Sequence, residues 1–241
     1  MLARILPKLR DQYSLKTALD LGCGVGHYSA LLSEFGFEVL GADGREENVL
    51  EARGRYPHLN FQVADAQDRA LSNLGQFDFV FCFGLLYHLE NPFETIRSIS
   101  KMTRKIAAIE GIVYPSPEPA MVLLDENTGD DQGLNYVAYY PSETCLVKML
   151  CKSGLTECYL PAEFPDHTEY HPGKNGFRRR SVFFASSSRI ENSVLQVWGA
   201  PPAQFNHWTM VPLYPIPTML SRIYGVFDRA VYSKIRPRQR N

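Results

Sequence analysis

The sequence predicts an α/β fold with a doubly wound, mostly parallel sheet. Between residues 17 and 113, short apolar segments alternate with helical segments five times, an order that is typical of consecutive βαβ units. The segment FDFVFCF at 77–83 is almost continuously hydrophobic, as a central strand covered on both faces is expected to be. A glycine-rich segment follows the first apolar run, where folds of this class bend the chain toward a ligand.

Each predicted strand is a short apolar run that ends in a turn signal or a carboxylate. TALDL runs into glycines, whereas FEVLGAD and LNFQVAD end in aspartates. Runs of this length and composition predict buried strands rather than helices. The five strands are expected at 17–21, 37–43, 59–65, 77–83 and 105–114.

The helices are predicted from apolar spacing and from residues that begin a helix. Tyr28 and Phe35, with leucines between them, recur at helical spacing after the glycines. REENVLEARGRY carries acidic residues in its first turn, which favours a helix N-terminus there. Asn91 and Pro92 are typical of an N-cap and a first helical residue. The initial MLARILPKLR interleaves basic and apolar residues, so it predicts a short amphipathic helix rather than a signal peptide.

The pattern changes after residue 113. Residues 114–140 are rich in Pro, Gly, Asp and Asn, and an excursion of this length is typically a lid or a binding insertion. A helix is expected from Ser142, and LTECYLPAEF and RRRSVFFASS are predicted as paired strands. We therefore expect one domain at 1–187 with an insertion at 114–140. We expect residues 188–241 to form an extension that packs on this domain or joins a partner subunit in a homodimer.

The composition of the chain argues against several classes of protein. The 241 residues are 45% hydrophobic, with 25 basic and 26 acidic side chains and a net charge of −1. This balance argues against DNA and RNA as partners, since phosphate binding usually requires a basic surface. No apolar run is long enough to span a bilayer. Five cysteines without a CxxC pair favour neither structural zinc nor disulfides, and they fit the reducing cytoplasm.

The strongest motif is the glycine-rich turn after the first strand. Asp20 is followed by Gly22, Gly24 and Gly26, which let the backbone bend tightly and approach a ligand. A dinucleotide fingerprint would need its third glycine at position 27, which is histidine. A carboxylate beside this loop also disfavours a pyrophosphate and suits a ligand that carries an ammonium group.

Carboxylates recur at the ends of successive strands. Asp43 follows the second strand at the spacing expected for an acid that binds ribose hydroxyls. Asp65 follows the third strand, where its carboxylate can accept a hydrogen bond from an exocyclic amine of adenine. Because ligands bind at the carboxyl ends of parallel strands, these acids indicate a nucleoside-binding edge of the sheet.

The segments ALDLGCGVGHYSALL, VLGAD, VADAQD and FDFVFCFGLLYHLENP resemble the class I S-adenosylmethionine-dependent methyltransferases over about residues 15–113. The resemblance implies a Rossmann-like, seven-stranded sheet whose last strand is antiparallel, and S-adenosyl-L-methionine as the cofactor. Asp20 would hold the methionine ammonium directly or through water, while the backbone of Gly22 to Gly26 passes beneath the ligand. The implied cofactor-binding residues are Asp20, Gly22, Cys23, Gly24, Gly26, Tyr28, Asp43, Gly44, Asp65, Ala66, Phe83 and Gly84.

GLLYHLENPF and the later order of elements are similar to a narrower group, the tRNA wobble-uridine carboxymethyltransferases and their small-molecule relatives. The chain differs from the tRNA enzymes in lacking their long N-terminal extension. It also has TEYHPGKNGFRRRSVFF in place of their TxEQRxTxWM-like segment. These differences argue against a carboxylated cofactor and a tRNA substrate.

Methyl transfer to oxygen requires a positioned acceptor and gains from a general base. His88, just past the fourth strand, is the best candidate base, with Tyr87 beside it. The alternative is that both side chains cap the strand end and pack beneath the substrate loop. Glu110, near the end of the fifth strand, is a second candidate acid or base, although a lone acid there is more often a solvated strand end. Tyr28, Phe83 and Tyr87 offer aromatic faces to the sulfonium.

Two further patterns are weaker. The histidines of DHTEYH at 166–171 superficially suggest a metal site, but the segment is predicted to be a hairpin loop, so no metal is expected. Arg178, Arg179 and Arg180 alternate across a strand. They are compatible with an acidic acceptor or a phosphate, but a solvated edge strand is the favoured interpretation.

The sequence thus predicts a methyltransferase that acts on a small-molecule acceptor, with oxygen as the methylated atom and His88 assisting deprotonation. Two alternatives remain open. One is an RNA-directed methyl or carboxymethyl transferase, and the other is a non-catalytic protein that binds S-adenosylmethionine for regulation.

Overall fold

The computed structural model describes residues 1–126, 133–134 and 136–199, and every structural statement refers to these residues. The helices are α1 (Leu2–Tyr13), α2 (His27–Glu34), α3 (Glu46–Arg55), α4 (Pro92–Met102) and α5 (Glu143–Lys152). The strands are β1 (Thr17–Leu21), β2 (Glu38–Asp43), β3 (Asn60–Val63), β4 (Phe77–Phe83), β5 (Thr103–Ile112), β6 (Met121–Asp125), β7 (Val137–Pro141), β8 (Glu157–Pro161), β9 (Arg180–Ser186) and β10 (Leu195–Val197).

Eight strands form one mixed sheet in the order β10-β8-β9-β5-β4-β1-β2-β3. The pairs among β1 to β5 are parallel, whereas β9 joins β5 antiparallel and β8 and β10 extend that side. The doubly wound, mostly parallel prediction is confirmed, but the sheet has eight strands rather than seven. The additional strand, β10, has only three residues, which is too short for an apolar pattern to reveal.

The central strand β4 explains how both faces of the sheet are covered. Phe79 and Phe81 pack with Leu6 of α1 on one face. Val80 packs with Ile96 of α4 on the opposite face. Successive side chains of a strand alternate between the two faces, so a strand covered on both sides is apolar throughout. The continuous hydrophobicity of residues 79–83 therefore indicates a layer of helices on each side of the sheet.

Helix α5 begins at a buried serine. The Ser142 hydroxyl accepts a hydrogen bond from the Cys145 amide at 3.1 Å and donates to the Glu118 carbonyl at 2.6 Å. An N-cap of this kind satisfies an otherwise unpaired helix amide. Asn91 plays the same part at α4, where its side chain accepts from the Glu94 amide and Pro92 is the first helical residue, as predicted.

We expect the substitution Ser142→Ala to lower the free energy of unfolding by about 1–2 kcal/mol, since the helix loses its cap and a buried hydrogen bond. Urea denaturation measures the change. Ser187→Ala, at an exposed serine, serves as the control and should alter stability by less than about 0.5 kcal/mol. Equal effects of the two substitutions would contradict the capping assignment.

The excursion at 114–140 contains regular structure of its own. Strands β6 and β7 pair antiparallel as a separate two-stranded sheet, with Met121 opposite Pro141 and Asp125 opposite Val137. Strand β7 lies against the 3-10 turn Leu86–His88 that follows β4. The insertion is therefore placed beside the carboxyl end of the central strand.

Part of the predicted C-terminal extension lies outside the described residues, including its apolar helical segment and its basic terminus. The dimer contact predicted there is likewise outside them. Within the described ranges, Leu195–Val197 pairs with β8. None of the described helices combines the length and hydrophobicity needed to cross a membrane.

Candidate active site

The glycine-rich turn after β1 has the backbone that its residues predict. Gly22, Gly24 and Gly26 have φ values of 78°, 52° and 88°, a region that side chains with a Cβ rarely adopt. A Cβ on Gly22 would lie 3.0 Å from Leu85, and one on Gly26 would lie 2.9 Å from Phe61. A Cβ on Gly24 would meet no atom within 4 Å. Gly24 therefore faces open space.

Asp43 ties this turn to the start of α3. Its Oδ2 accepts from the Gly24 amide at 2.9 Å, and its Oδ1 accepts from the Arg45 amide and the Asn48 side chain at 2.9 and 3.0 Å. A carboxylate has about four acceptor positions. Among the described residues three of these positions are used, which leaves Oδ2 one position for a further hydrogen bond.

Asp20 lies beneath the turn and is only 2% exposed. Its Oδ2 accepts a hydrogen bond from the Ser29 hydroxyl at 2.6 Å. Burial raises the pKa of this carboxyl group to about 7, with a smaller contribution from the negative charge of Asp43, while the hydrogen bonds from Ser29 oppose the shift. Asp20 does not line the cleft, and its contact with a methionine ammonium stays a prediction.

A cleft opens at the carboxyl ends of the parallel strands. It brings the glycine turn, the acid at the end of β2 and the acid after β3 together with an imidazole that follows β4. Its lining includes eight residues singled out from the sequence: Gly22, Gly24, Asp43, Gly44, Asp65, Ala66, Gly84 and His88.

The other predicted cofactor residues lie around this cleft without lining it. Cys23 is buried against Val49, Ala52 and Phe61, and burial raises the pKa of its thiol. Phe83 stacks on Phe81 at 3.9 Å between ring centroids. The Tyr28 ring lies 5.1 Å from that of Phe81 and 5.7 Å from that of Phe83, and these aromatic residues form a separate group at the ends of β4 and α2. Gly26 is the N-cap of α2.

Glu110 is not the solvated strand end that was favoured from the sequence. It is 4% exposed, and its Oε1 accepts from Arg180 at 2.8 Å and from the Tyr170 hydroxyl at 2.9 Å. Arg180 also donates to the Tyr87 hydroxyl at 3.1 Å and faces Glu169 at 3.3 Å. The buried carboxylate is therefore committed to an ion pair that joins β5 to β9.

The favoured interpretation of the three arginines as a solvated edge strand is also wrong. Strand β9 lies between β5 and β8, because two strands extend the sheet beyond it. Arg178 pairs with Glu143 at 2.9 Å, and Arg180 pairs with Glu110. Only Arg179, whose side chain is 77% exposed, is solvated as expected.

His88 is held by a residue that the sequence did not suggest. Its Nδ1 lies 2.5 Å from Oε1 of Glu126, at the end of β6, and the two side chains are 13% and 5% exposed. Glu126 comes from the insertion, 38 positions away, so no local motif could have revealed it.

Several residues that line the cleft were also missed from the sequence: Arg45, Asn48, Ala64, Gln67, Leu85, Leu89, Gly133 and Leu134.

The insertion also reaches the end of the cleft that contains Gly44 and Asp65. Leu134 lies close to Gly44: a Cβ added to Gly44 would be 3.1 Å from the Leu134 side chain.

In the described part of the chain, no group of three His, Cys, Asp or Glu side chains is arranged to hold a metal ion. His167 instead accepts from the Glu169 amide, and His171 contacts the Pro165 carbonyl.

We expect Gly24→Ala to weaken binding of S-adenosylhomocysteine at least tenfold, because the new methyl group projects into the open cradle and disfavours the positive φ. Calorimetry measures the affinity. Gly54→Ala is the control, since its Cβ also meets open space but lies within α3. Unchanged affinity in the Gly24 variant would remove the turn from the binding site.

The chain is similar to known methyltransferases. Residues 19–109 match the family described as a methyltransferase domain. A tRNA U34 carboxymethyltransferase of Actinobacillus succinogenes is 28% identical over 64% of this chain and 49% of the relative. A ubiquinone biosynthesis O-methyltransferase of Colwellia psychrerythraea is 36% identical over 36% of this chain and 37% of the relative. The chain spans about half the length, or less, of these curated relatives.

Solved structures share the fold. The N-terminal domain of EvdMO1, crystallised with S-adenosylhomocysteine and D-fucose, has a TM-score of 0.64 at 19% identity, over 77% of this chain and 82% of that one. Magnesium protoporphyrin IX methyltransferase of Synechocystis PCC 6803, with bound S-adenosylhomocysteine, has a TM-score of 0.53 at 19% identity, over 78% and 82% of the two chains.

Proposed function

We propose that this chain, a member of the class I S-adenosylmethionine-dependent methyltransferase superfamily, methylates an oxygen atom of a small-molecule acceptor. The observation that carries the proposal is the cleft itself. It joins a glycine cradle and two carboxylates, suited to a nucleoside with an amino-acid tail, to the imidazole of His88. A binding site and a candidate base thus share one cavity.

The residues present fit S-adenosylmethionine. Gly24 leaves its cradle open, Asp43 keeps one acceptor position, and Asp65 stands at the end of the third parallel strand. We assign the ribose hydroxyls to Asp43 and the adenine amine to Asp65. When bound, the cofactor supplies a methyl group on a sulfonium, which an acceptor oxygen takes as the carbon–sulfur bond breaks and its electron pair stays on sulfur.

His88 would accept the proton of the acceptor hydroxyl. Its Nδ1 is occupied by Glu126, so Nε2 is the atom that can take a proton. A positioned base contributes typically about 10²–10⁴-fold to a rate. Holding the acceptor and the methyl group in line contributes more, up to about 7–11 kcal/mol of the barrier. In this proposal, the residues that line the cleft therefore accelerate the reaction mainly by positioning the two reactants.

The net charge of the chain and the ion pairs of its arginines support a small acceptor over RNA. The net charge is −1, and Arg178, just before β9, and Arg180, its first residue, are each paired with a glutamate. Paired arginines leave little free positive charge for phosphates. The ubiquinone biosynthesis O-methyltransferase relatives provide the precedent for an oxygen acceptor.

The experiment has two stages. Native mass spectrometry and calorimetry test for binding of S-adenosylhomocysteine, and a screen of phenols, sugars and carboxylic acids then tests for release of S-adenosylhomocysteine from the methyl donor. We expect binding and turnover with a hydroxyl-bearing compound. Failure to bind would refute the proposal, whereas binding without turnover on any acceptor would support the regulatory alternative. Salt-sensitive tRNA binding with modification of the tRNA would support the RNA-directed alternative.

A further inference from the structure

One residue of the insertion, Glu126, contacts the imidazole of His88. Glu126 offers Oε1 to the Nδ1 of His88 at 2.5 Å, and its Oε2 accepts from the Gly133 amide at 2.9 Å. The same carboxylate therefore binds a second residue of the insertion, Gly133, and contacts the imidazole. With 5% of its side chain exposed, it is shielded from water, so the contact is stronger than one on the surface.

The imidazole is restrained on other sides as well. The Tyr87 ring lies 4.1 Å from that of His88, and Arg180 in turn holds the Tyr87 hydroxyl. A Cβ on Gly133 would lie only 2.6 Å from the His88 carbonyl oxygen, so the insertion packs directly against the backbone of this residue. Glu126 is the one group that contacts a ring nitrogen of His88 among the described residues.

From this geometry we infer that Glu126 is a positioning residue, which fixes His88 in the tautomer that leaves Nε2 free to accept a proton. An ionised carboxylate only accepts hydrogen bonds, so Nδ1 must be the protonated nitrogen. When Nε2 takes the proton of an acceptor hydroxyl, Glu126 stabilises the imidazolium without being protonated itself. The proton then leaves from Nε2 to solvent. The catalytic part of this inference rests on the proposed function, whereas the tautomer does not.

The first test reads the tautomer in the ligand-free protein. Long-range ¹H–¹⁵N NMR at a pH where His88 is neutral distinguishes protonation of Nδ1 from protonation of Nε2, and His88→Asn assigns the signal. We expect the wild type to carry the proton on Nδ1. Glu126→Gln is expected to lose this preference, because its amide can either donate to Nδ1 or accept from it. A wild-type proton on Nε2 would overturn the inference, whether or not Glu126→Gln folds.

The second test uses kinetics. Glu126→Gln should lower kcat by on the order of 100-fold with little change in KM, because it disturbs the base rather than acceptor binding. In a His88→Ala background the same substitution should have no further effect. The matched control is Asp125→Asn, which removes a carboxylate from the preceding, exposed residue and should change neither the tautomer nor kcat.

The outcomes separate the two proposals. An unchanged kcat in Glu126→Gln, or an equal loss with and without His88, would overturn the positioning role while leaving the methyltransferase proposal intact. If no acceptor is turned over, the proposed function fails, and the NMR result alone then decides whether Glu126 sets the tautomer. Glu126→Asp, which keeps the charge on a shorter side chain, should recover part of the lost rate.

Discussion

Replacing His88 with alanine is expected to lower kcat by about 10²–10⁴-fold with the preferred acceptor, the range that a general base contributes. Positioning of the acceptor survives the substitution, so residual activity should remain measurable. Release of S-adenosylhomocysteine under saturating methyl donor gives the rate. Affinity for S-adenosylhomocysteine is expected to stay within a fewfold of the wild type, because the assigned cofactor contacts are made by other residues.

Two variants make this prediction specific. His88→Asn can still donate an amide hydrogen to Glu126 but cannot act as a base, so it should lose as much activity as the alanine variant while keeping the fold around the insertion. His58 lies on an exposed loop, and His58→Ala should leave kcat unchanged. If His88→Ala retained full activity between pH 6 and 9, the assignment of a base would be wrong, and His88 would be a structural residue beneath the insertion.

Replacing Asp20 with asparagine is expected to stabilise the ligand-free protein at pH 8 by on the order of 2–4 kcal/mol. The buried carboxyl group has a pKa of about 7 in the folded state, against 3.8 as its ordinary value. Ionising it therefore opposes folding, whereas an asparagine amide is neutral and its oxygen can still accept from Ser29.

The pH dependence has a definite sign. Because the pKa of Asp20 is raised on folding, its full contribution to stability is present below about pH 4 and is lost as pH rises to about 7. Urea denaturation from pH 4 to 8 should show the stability of Asp20→Asn rising relative to wild type across this window, with similar stabilities at pH 4. Asp166→Asn, at an exposed aspartate, should show no such difference. A constant difference at all pH values would contradict the shifted pKa.

A destabilising carboxylate at this position is consistent with a binding role. Groups that destabilise the folded protein are commonly found at binding sites, where a complementary ligand interacts favourably with them. We expect Asp20→Asn to bind S-adenosylhomocysteine more weakly even though it is more stable, since it lacks the negative charge that favours an ammonium group. Stronger binding by the variant would exclude Asp20 from cofactor recognition.

Local features of the chain predicted much of the scaffold. The alternation of strands and helices, the N-cap at Asn91, the start of a helix at Ser142 and the glycine turn all depend on interactions within a few residues. The two-sided burial of β4 could be predicted because unbroken hydrophobicity at residues 79–83 is explained by cover on both faces. The acids after β2 and β3 reach the same cleft because parallel strands bring their carboxyl ends to one edge of the sheet.

The sequence by itself thus determined the sheet, its helical layers and the edge of the sheet at which Asp43 and Asp65 meet, since each is encoded by neighbouring residues or by strand direction. The tertiary structure alone decided which charges meet: Glu110 with Arg180, 70 positions apart, and His88 with Glu126, 38 positions apart. A carboxylate has the same local signature whether it is solvated or paired in the interior. Its role depends on the strand that packs beside it, and that neighbour is set by the topology of the whole domain.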